Sequence, residues 1–182
     1  MRIITGSARG RRLKTPEGID IRPTSDKVKE AIFSIIQFDL QGAVVCDLFS
    51  GTGQLGLEAL SRGAKYCRFV DKSTVSADLT KENIVSAGFL DSSAVSVTDS
   101  VDFIRDVRMT FDVILIDPPY EKGLIEKVMP FAAMKLSHRG VIVCEHEITL
   151  NLPESYGKAV KQKSYKYGKV GVTVYRTEGD AE

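Results

Sequence analysis

The first residues that could bind a ligand lie in a glycine-rich motif. Asp47-Leu48-Phe49-Ser50-Gly51-Thr52-Gly53-Gln54-Leu55-Gly56 stands between a short apolar run and an amphipathic one. Glycines at such a junction let the backbone turn sharply and approach a ligand without a Cβ atom in the way. Gly51, Gly53 and Gly56 satisfy the pattern G-x-G-x-x-G, and Asp71 follows at the spacing of a ribose-binding acid. The motif predicts a dinucleotide or S-adenosylmethionine as ligand; a tight turn whose glycines serve only packing is the alternative.

Three acidic residues bear on the choice of ligand. Asp47 lies four residues before Gly51, where a carboxylate favours the ammonium and sulfonium of S-adenosylmethionine and would repel a pyrophosphate. Asp71 suits either ligand, because its two oxygens can accept both ribose hydroxyls. Asp99, with Ser100 beside it, could accept a hydrogen bond from an adenine amino group, or it could cap a helix.

The tetrapeptide Asp117-Pro118-Pro119-Tyr120 follows the most apolar run of the chain. Two successive prolines neither continue a strand nor readily begin a helix, so they predict a stiff loop that holds a carboxylate and a carbonyl at a substrate. Tyr120 offers a flat face on which a base can stack. Nothing in a dinucleotide dehydrogenase needs this tetrapeptide, although an ordinary strand-ending turn could also contain it.

The elements that must position these residues alternate between short apolar runs and amphipathic segments, which is typical of a parallel sheet covered on both faces. In such a sheet, ligands bind at the carboxyl edge of the strands. Pro130 should kink or split the helix in which it lies. The predicted strands cover residues 44–49, 67–71, 94–97, 111–117 and 140–145, and the predicted helices cover residues 55–62, 73–87, 101–105 and 122–134.

The two ends of the chain differ from this alternation. Residues 161–176 predict an antiparallel hairpin that turns at Tyr167-Gly168-Lys169. Residues 2–5 and 11–14 flank a glycine-containing turn and predict a second hairpin, and a helix with one apolar stripe follows Pro23-Thr24. We therefore divide the chain into an N-terminal hairpin and helix extension, residues 1–40, and a ligand-binding domain, residues 41–182.

Charge is segregated along the chain. Residues 1–15 carry five basic residues and no acid, and residues 156–176 carry six and no acid, while the net charge of the whole chain is only +1. Such clusters are often merely solvated faces, but two acid-free basic ends on a chain with an acidic middle are typical of a surface that binds a polyanion.

Other residue classes point to a cytoplasmic protein without a metal. The three cysteines, Cys46, Cys67 and Cys144, are widely spaced in apolar runs and predict reduced, buried thiols. His138 and His146 have no convergent ligand partners, so we expect no metal site. No apolar run is long enough to span a bilayer, and we expect no membrane partner.

The whole pattern resembles the RsmD family, class I S-adenosylmethionine-dependent methyltransferases that act on the N2 amino group of guanine in bacterial 16S ribosomal RNA. Family members often have Ala-Gly-Ser-Gly at Ser50-Gly51-Thr52-Gly53 and Glu at Asp71, which are mild departures. The motifs that carry the resemblance are Arg2-Ile3-Ile4, Arg9-Gly10-Arg11, Arg22-Pro23-Thr24, Glu30-Ala31-Ile32-Phe33, the glycine-rich motif, Leu57-Glu58-Ala59-Leu60-Ser61-Arg62-Gly63-Ala64, Asp117-Pro118-Pro119-Tyr120, Glu145 and Tyr167-Gly168.

This resemblance implies a role for each group of residues. Asp117 and the Pro118 carbonyl would accept hydrogen bonds from the amino group while Tyr120 stacks on the extruded base, with Pro119 stiffening the loop between them. The cofactor would be lined by Asp47, Gly51, Gly53, Asp71, Asp99 and Ser100. RNA phosphates would be bound chiefly by Arg9, Arg11, Arg12, Lys14, Lys166 and Lys169.

The expected partner is 16S ribosomal RNA, within a partly assembled small-subunit particle. Three alternatives stay open: methylation of adenine or cytosine amino groups in DNA, a dinucleotide-dependent oxidoreductase, and a non-catalytic RNA-binding assembly factor on a methyltransferase-like scaffold.

Overall fold

The computed structural model of the chain describes residues 1–16, 25–120 and 123–177. The motif Arg22-Pro23-Thr24 lies outside the described residues. The described helices are α1 Asp26–Ile35, α2 Gln54–Ser61, α3 Thr74–Ala87, α4 Ser100–Asp106 and α5 Leu124–Lys135. The described strands are β1 Val44–Leu48, β2 Tyr66–Asp71, β3 Ser93–Val97, β4 Phe111–Ile116, β5 Leu136–Glu147, β6 Ser155–Tyr156, β7 Ala159–Tyr167 and β8 Val170–Thr177.

All eight strands form one sheet in the order β3-β2-β1-β4-β5-β8-β7-β6. Strands β1 to β5 run parallel to one another, whereas β8 is antiparallel to β5 and to β7. The chain moves outward from β1 through β2 to β3 and then returns to the other side of β1 as β4. This order confirms the predicted mostly parallel sheet with an antiparallel hairpin at its C-terminal side.

Alternate strand residues point to opposite faces of the sheet, and each face has its own hydrophobic cluster. One cluster joins Val45, Leu115 and Val143 to side chains of α1, α2 and α3. The other joins Cys46, Ile116 and Cys144 to side chains of α4 and α5. Helices therefore cover both faces, as the near-continuous apolar strands predicted.

The N-terminal segment, residues 1–16, turns back on itself. It contains a single antiparallel bridge between Arg2 and Arg12, supported by hydrogen bonds between the backbone groups of Ile3, Gly10 and Arg11. Ile3 and Leu13 are buried in the same cluster as the sheet and α1. The predicted hairpin is therefore present as a one-bridge turn that shares a core with the rest of the chain.

Buried polar groups fasten this segment to α2. Glu58, fully buried, accepts hydrogen bonds from the backbone N–H groups of Ile4 and Thr5 at 2.7 and 3.0 Å. Ser61 Oγ donates to the Thr5 carbonyl and accepts from the Ala8 N–H. These bonds hold the segment against the C-terminal half of α2, and the Thr52 hydroxyl, which donates to Met1 Sδ at 3.2 Å, places its first residue beside the glycine-rich motif.

The prediction that Pro130 splits its helix is wrong, because α5 runs as one helix from Leu124 to Lys135 through Pro130. Pro130 lies on the exposed side of α5, and so does Glu126, whose carbonyl would have bonded a residue with an N–H at that position. Water can hydrate that carbonyl, and the buried side of the helix holds it against the sheet. The other predicted helices and strands are confirmed with ends that differ by a few residues.

Candidate active site

A cavity of about 500 Å³ opens at the carboxyl ends of β1 and β4. The chain order reverses between these two strands, and such a switch point is where open α/β sheets bind ligands. The cavity is lined by Met1, Asp47, Phe49, Ser50, Gly51, Thr52, Gln54, Leu55, Asp71, Lys72, Asp99, Ser100, Asp117, Pro118, Pro119, Tyr120, Leu124 and Glu145. Except for Gly53, every residue predicted to bind cofactor or act in catalysis therefore lines one cavity.

Gly53 is the last residue of the glycine loop, residues 49–53, and does not line the cavity. It caps the N-terminus of α2 in the left-handed conformation, with φ of 80°, which L side chains rarely adopt. Gly56 is needed for packing, since a Cβ there would lie 2.3 Å from Cε1 of Phe69 on β2. Gly51 therefore lies at the cavity, whereas Gly53 and Gly56 allow α2 to begin after the loop and to pack against the sheet.

Polar groups from β2 and α3 fix the glycine loop from behind. Asp71 accepts hydrogen bonds from the backbone N–H of Gly51 at 2.9 Å and of Ser73 at 2.8 Å, one on each carboxylate oxygen. Thr80 donates to the Gly51 carbonyl at 2.8 Å, and Asn83 donates to the Thr52 carbonyl at 2.9 Å. Because each carboxylate oxygen has a second lone pair, Asp71 can shape the loop and still accept from a ribose.

Asp47 stands at the floor of the cavity and is 1% exposed. Burial raises the pKa of its carboxyl from 3.8 to about 7; a hydrogen bond from the Gly56 N–H at 2.9 Å acts in the opposite direction, and the charge of Asp71 raises the pKa further. A buried carboxyl of this kind is stabilised as the anion when a cation enters the cavity.

Asp99, another residue of the cavity wall, caps α4. Its Oδ1 accepts hydrogen bonds from the backbone N–H groups of Val101 at 2.8 Å and Asp102 at 3.3 Å, which confirms the capping alternative. Asp99 also lines the cavity, with the buried Ser100 beside it. Because Oδ1 of Asp99 caps the helix, its Oδ2 can still accept a hydrogen bond from a ligand.

The loop Asp117-Pro118-Pro119-Tyr120 lines the same cavity as the glycine loop. The Tyr120 hydroxyl donates to Oε1 of Glu145 at 3.2 Å, which ties the loop to the end of β5. Glu145 itself is only 6% exposed. A carboxylate, a rigid loop and an aromatic ring thus converge on one side of the cavity.

Sequence reasoning missed several residues of the cavity wall. Phe49 has φ of 68°, a conformation costing about 1–3 kcal/mol for such a residue. Among the described residues, the buried Ser50 Oγ and Gln54 Oε1 find no hydrogen-bond partner. The motif contained all three, but their types give no signal of strain or of an unsatisfied atom. Met1 could not have been found, because its place beside Thr52 depends on the folding of the N-terminal segment.

The charges of the cavity wall bear on which ligand it fits. The wall carries five acidic side chains, those of Asp47, Asp71, Asp99, Asp117 and Glu145, against one basic side chain, that of Lys72. This charge balance opposes a pyrophosphate and favours a ligand with cationic groups. Ser50 Oγ and Gln54 Oε1 are polar atoms that such a ligand can satisfy. The residues present therefore fit S-adenosylmethionine.

The predicted RNA-binding residues lie on two separate stretches of surface. Arg9, Arg11 and Arg12 are exposed on the N-terminal segment. Lys14 pairs with Glu82 at 2.7 Å, and its backbone N–H and carbonyl are both bonded by the Asn83 side chain.

Lys166 and Lys169 are exposed at or near the turn between β7 and β8. This turn lies at the carboxyl end of β5, where Glu147 pairs with Val170 and the Lys169 carbonyl accepts from the Ile148 N–H at 3.1 Å. By contrast, Arg176 pairs with Val141 near the middle of β5 and binds Asp39 through two hydrogen bonds of 2.7 Å. The exposed lysines of the hairpin thus share the sheet edge of the cavity.

Two further properties concern only the described part of the chain. Its helices include none that is both long enough and apolar enough to cross a membrane. Its His, Cys, Asp and Glu side chains form no group of three or more that could hold a metal ion.

The doubly wound sheet with a cavity at its switch point is the fold of the class I S-adenosylmethionine-dependent methyltransferases. A family model described as "Conserved hypothetical protein 95" matches residues 1–176. The chain therefore belongs to this family, the RsmD family that its motifs predicted.

Relatives of this family align over nearly the whole chain. YlbH of Bacillus subtilis (strain 168), whose name proposes an rRNA methyltransferase, is 37% identical over 98% of this chain and 100% of its own length. Ribosomal RNA small subunit methyltransferase D of Escherichia coli (strain K12) is 27% identical over 100% of this chain and 92% of its own length. The solved structure of yhhF from Escherichia coli, described as a candidate methyltransferase, superposes with a TM-score of 0.88, 27% identity and 99% coverage of both chains.

Proposed function

We propose that this chain transfers a methyl group from S-adenosylmethionine to the exocyclic N2 amino group of one guanine in small-subunit ribosomal RNA, within a partly assembled particle. The observation that carries the proposal is that Asp117-Pro118-Pro119-Tyr120 and the glycine loop line the same cavity. The relative named Ribosomal RNA small subunit methyltransferase D supports the choice of nucleic acid.

The cofactor supplies a methyl group already activated by its sulfonium, so the task of the protein is alignment and charge stabilisation. Asp47 and Asp71 would hold its ammonium and ribose ends. Asp117 and the Pro118 carbonyl would accept hydrogen bonds from the guanine amino group, which localises the nitrogen lone pair and stabilises the positive charge that develops there. Tyr120 would stack on the base, which has to leave its helix because pairing hides the amino group.

The exposed arginine and lysine side chains would bind the RNA and bring the base to the cavity. The N-terminal segment borders the cavity, since the Thr52 hydroxyl donates to Met1 Sδ at 3.2 Å and Asn83 joins the Thr52 carbonyl to Lys14. The turn carrying Lys169 lies at the same sheet edge. A basic surface that runs from Lys14 along the N-terminal segment, together with Lys166 and Lys169 at the sheet edge of the cavity, suits a phosphate backbone that passes across the cavity.

The test of the reaction is methyl transfer from labelled cofactor to naked ribosomal RNA, to partly assembled small subunits and to genomic DNA in parallel. The product nucleoside is identified by mass spectrometry. We expect N2-methylguanine, formed fastest in the subunits. N6-methyladenine in DNA without N2-methylguanine would refute the proposal, and absence of any methyl transfer would favour a non-catalytic binding protein.

The test of delivery is the triple substitution of Arg9, Arg11 and Arg12 by alanine. It should weaken RNA binding and leave cofactor affinity unchanged. The slope of log affinity against log salt should fall by up to about one unit for each phosphate that the variant no longer binds. Lys127→Ala is the matched control, because this exposed lysine lies on α5, on the other face of the sheet. Equal salt slopes for the triple variant and the control would contradict the assignment.

A further inference from the structure

Glu145 shares a row with Asp117 on adjacent strands. In β4 and β5, Ile116 pairs with Cys144, and Asp117 and Glu145 are the next residues of each chain segment. Neighbouring strands are about 4.8 Å apart. Val143, two residues before Glu145 in β5, faces the cluster of α1, α2 and α3, so Glu145 points toward that side of the sheet, and Asp117 is the first residue after β4. Both line the cavity.

The Tyr120 ring belongs to the same wall. Its hydroxyl donates to Glu145 Oε1 at 3.2 Å, so the stacking surface and the second carboxylate are held in a fixed relation. A carboxylate can accept several hydrogen bonds at once, so the bond from Tyr120 does not prevent Glu145 from accepting another. A base stacked on Tyr120 with its amino group at Asp117 can present the ring nitrogen of its Watson–Crick edge toward Glu145.

The hydrogen-bonding groups of the bases indicate which base a second acceptor would select. On the Watson–Crick edge of guanine, the N1–H donor is adjacent to the N2 amino group. In adenine and cytosine the ring nitrogen beside the amino group carries a lone pair, which a carboxylate repels. Two acceptors side by side complement guanine alone among these three bases. A site built to bind a substrate N–H rejects an analogue that lacks it, because its own polar group is then left unpaired.

We propose that Glu145 is a specificity-determining residue that accepts a hydrogen bond from guanine N1–H. This inference rests on the proposed function, since it presupposes that an exocyclic amino group of a base is methylated at Asp117. It adds the reason why that base is guanine.

The experiment uses small subunits reconstituted from RNA in which the target guanosine, once mapped, is kept or is replaced by 2-aminopurine. This analogue has the N2 amino group but bears a lone pair at N1. The measured quantity is the ratio of kcat/KM for guanine to that for 2-aminopurine. The analogue also lacks the O6 atom of guanine, and this difference is the same for every protein variant. Therefore only a change in the kcat/KM ratio from one variant to another reports on the contact to N1.

Wild-type protein should prefer guanine, and Glu145→Gln should reduce that preference by about tenfold to hundredfold, the usual effect of one hydrogen bond to a charged group. The Gln side chain can donate to an unprotonated N1 through its amide nitrogen. Tyr120→Phe is the matched control, because it keeps the ring, removes the hydroxyl and should lower both rates while preserving the preference. Glu145→Ala provides a second variant, and stabilisation by S-adenosylhomocysteine shows that each variant is folded.

Two results would overturn the inference. In the first, wild-type protein methylates both bases equally well. In the second, Glu145→Gln lowers both rates by the same factor, as Tyr120→Phe does, which would make Glu145 a positioning residue for the tyrosine. If wild-type protein modifies neither base while it binds the cofactor, the proposed function fails and this inference fails with it.

Discussion

Replacing Asp47 by asparagine should change how the stability of the protein depends on pH. Burial raises the pKa of this carboxyl to about 7 in the folded chain, against 3.8 for an ordinary aspartate. Between these two values the folded state holds a proton that the unfolded state has lost. The free energy of unfolding therefore falls as the pH rises from about 4 to about 7, and above pH 7 the loss is complete.

The size of the effect follows from the difference of about three pKa units, equivalent to about 4 kcal/mol, of which about 3 kcal/mol falls between pH 5 and pH 8. The substitution Asp47→Asn keeps an oxygen that can accept the Gly56 N–H bond, but the amide has nothing to titrate. As the pH rises from 5 to 8, the free energy of unfolding of the variant should therefore increase by about 3 kcal/mol relative to that of the wild type.

The assay is urea unfolding of the cofactor-free wild-type and Asp47→Asn proteins at pH 5, 6, 7 and 8. Other titrating groups are common to both proteins and cancel in the comparison. A stability difference that stays constant across this range would refute the reasoning. A second readout is calorimetry in two buffers at pH 6, where binding of the cationic cofactor should release a proton from the wild type and none from the variant.

Three further outcomes follow from the site. S-adenosylhomocysteine at about 100 times its dissociation constant should stabilise the protein by roughly 2.7 kcal/mol, and Asp71→Ala should weaken its binding; a melting shift with NADH alone would contradict this. Asp117→Ala should keep that stabilisation but slow methyl transfer by about two orders of magnitude or more, and wild-type turnover would show that the motif is only structural. Gly56→Ala should destabilise the fold by about 1–3 kcal/mol, because its Cβ would overlap the Phe69 ring; unchanged urea unfolding would show that the ring can move away.

Most of the fold could be predicted because its signals are local. Apolar runs marked β1 to β5, and the predicted helix 73–87 agrees with α3 within one residue, since Ser73 is its N-cap and Gly88 its left-handed C-cap. Pro130 misled because a proline costs less on the exposed side of a helix, and exposure depends on packing that the sequence does not show.

The lining of the cavity could be predicted where a sequence motif marks it. Asp117 and Gly51 needed only their motifs. Ser50, Gln54 and Phe49 needed the folded chain, because an unsatisfied atom or a strained φ exists only after neighbouring segments have met. The fastening of the N-terminal segment also depends on distant partners, since Glu58 and Asn83 lie more than 50 residues from the backbone groups that they bind.

The position of β8 inside the sheet has a consequence for synthesis of the chain. β8, Val170–Thr177, pairs with β5 on one side and with β7 on the other. A nascent chain can assemble β1 to β5 early, but one side of β5 then exposes the apolar run Val141-Ile142-Val143-Cys144 without a partner. At about 5–20 residues per second, the ribosome needs a few seconds to deliver β8. During that interval the edge can pair with other chains, so truncation before Val170 should produce aggregation and not a smaller soluble enzyme.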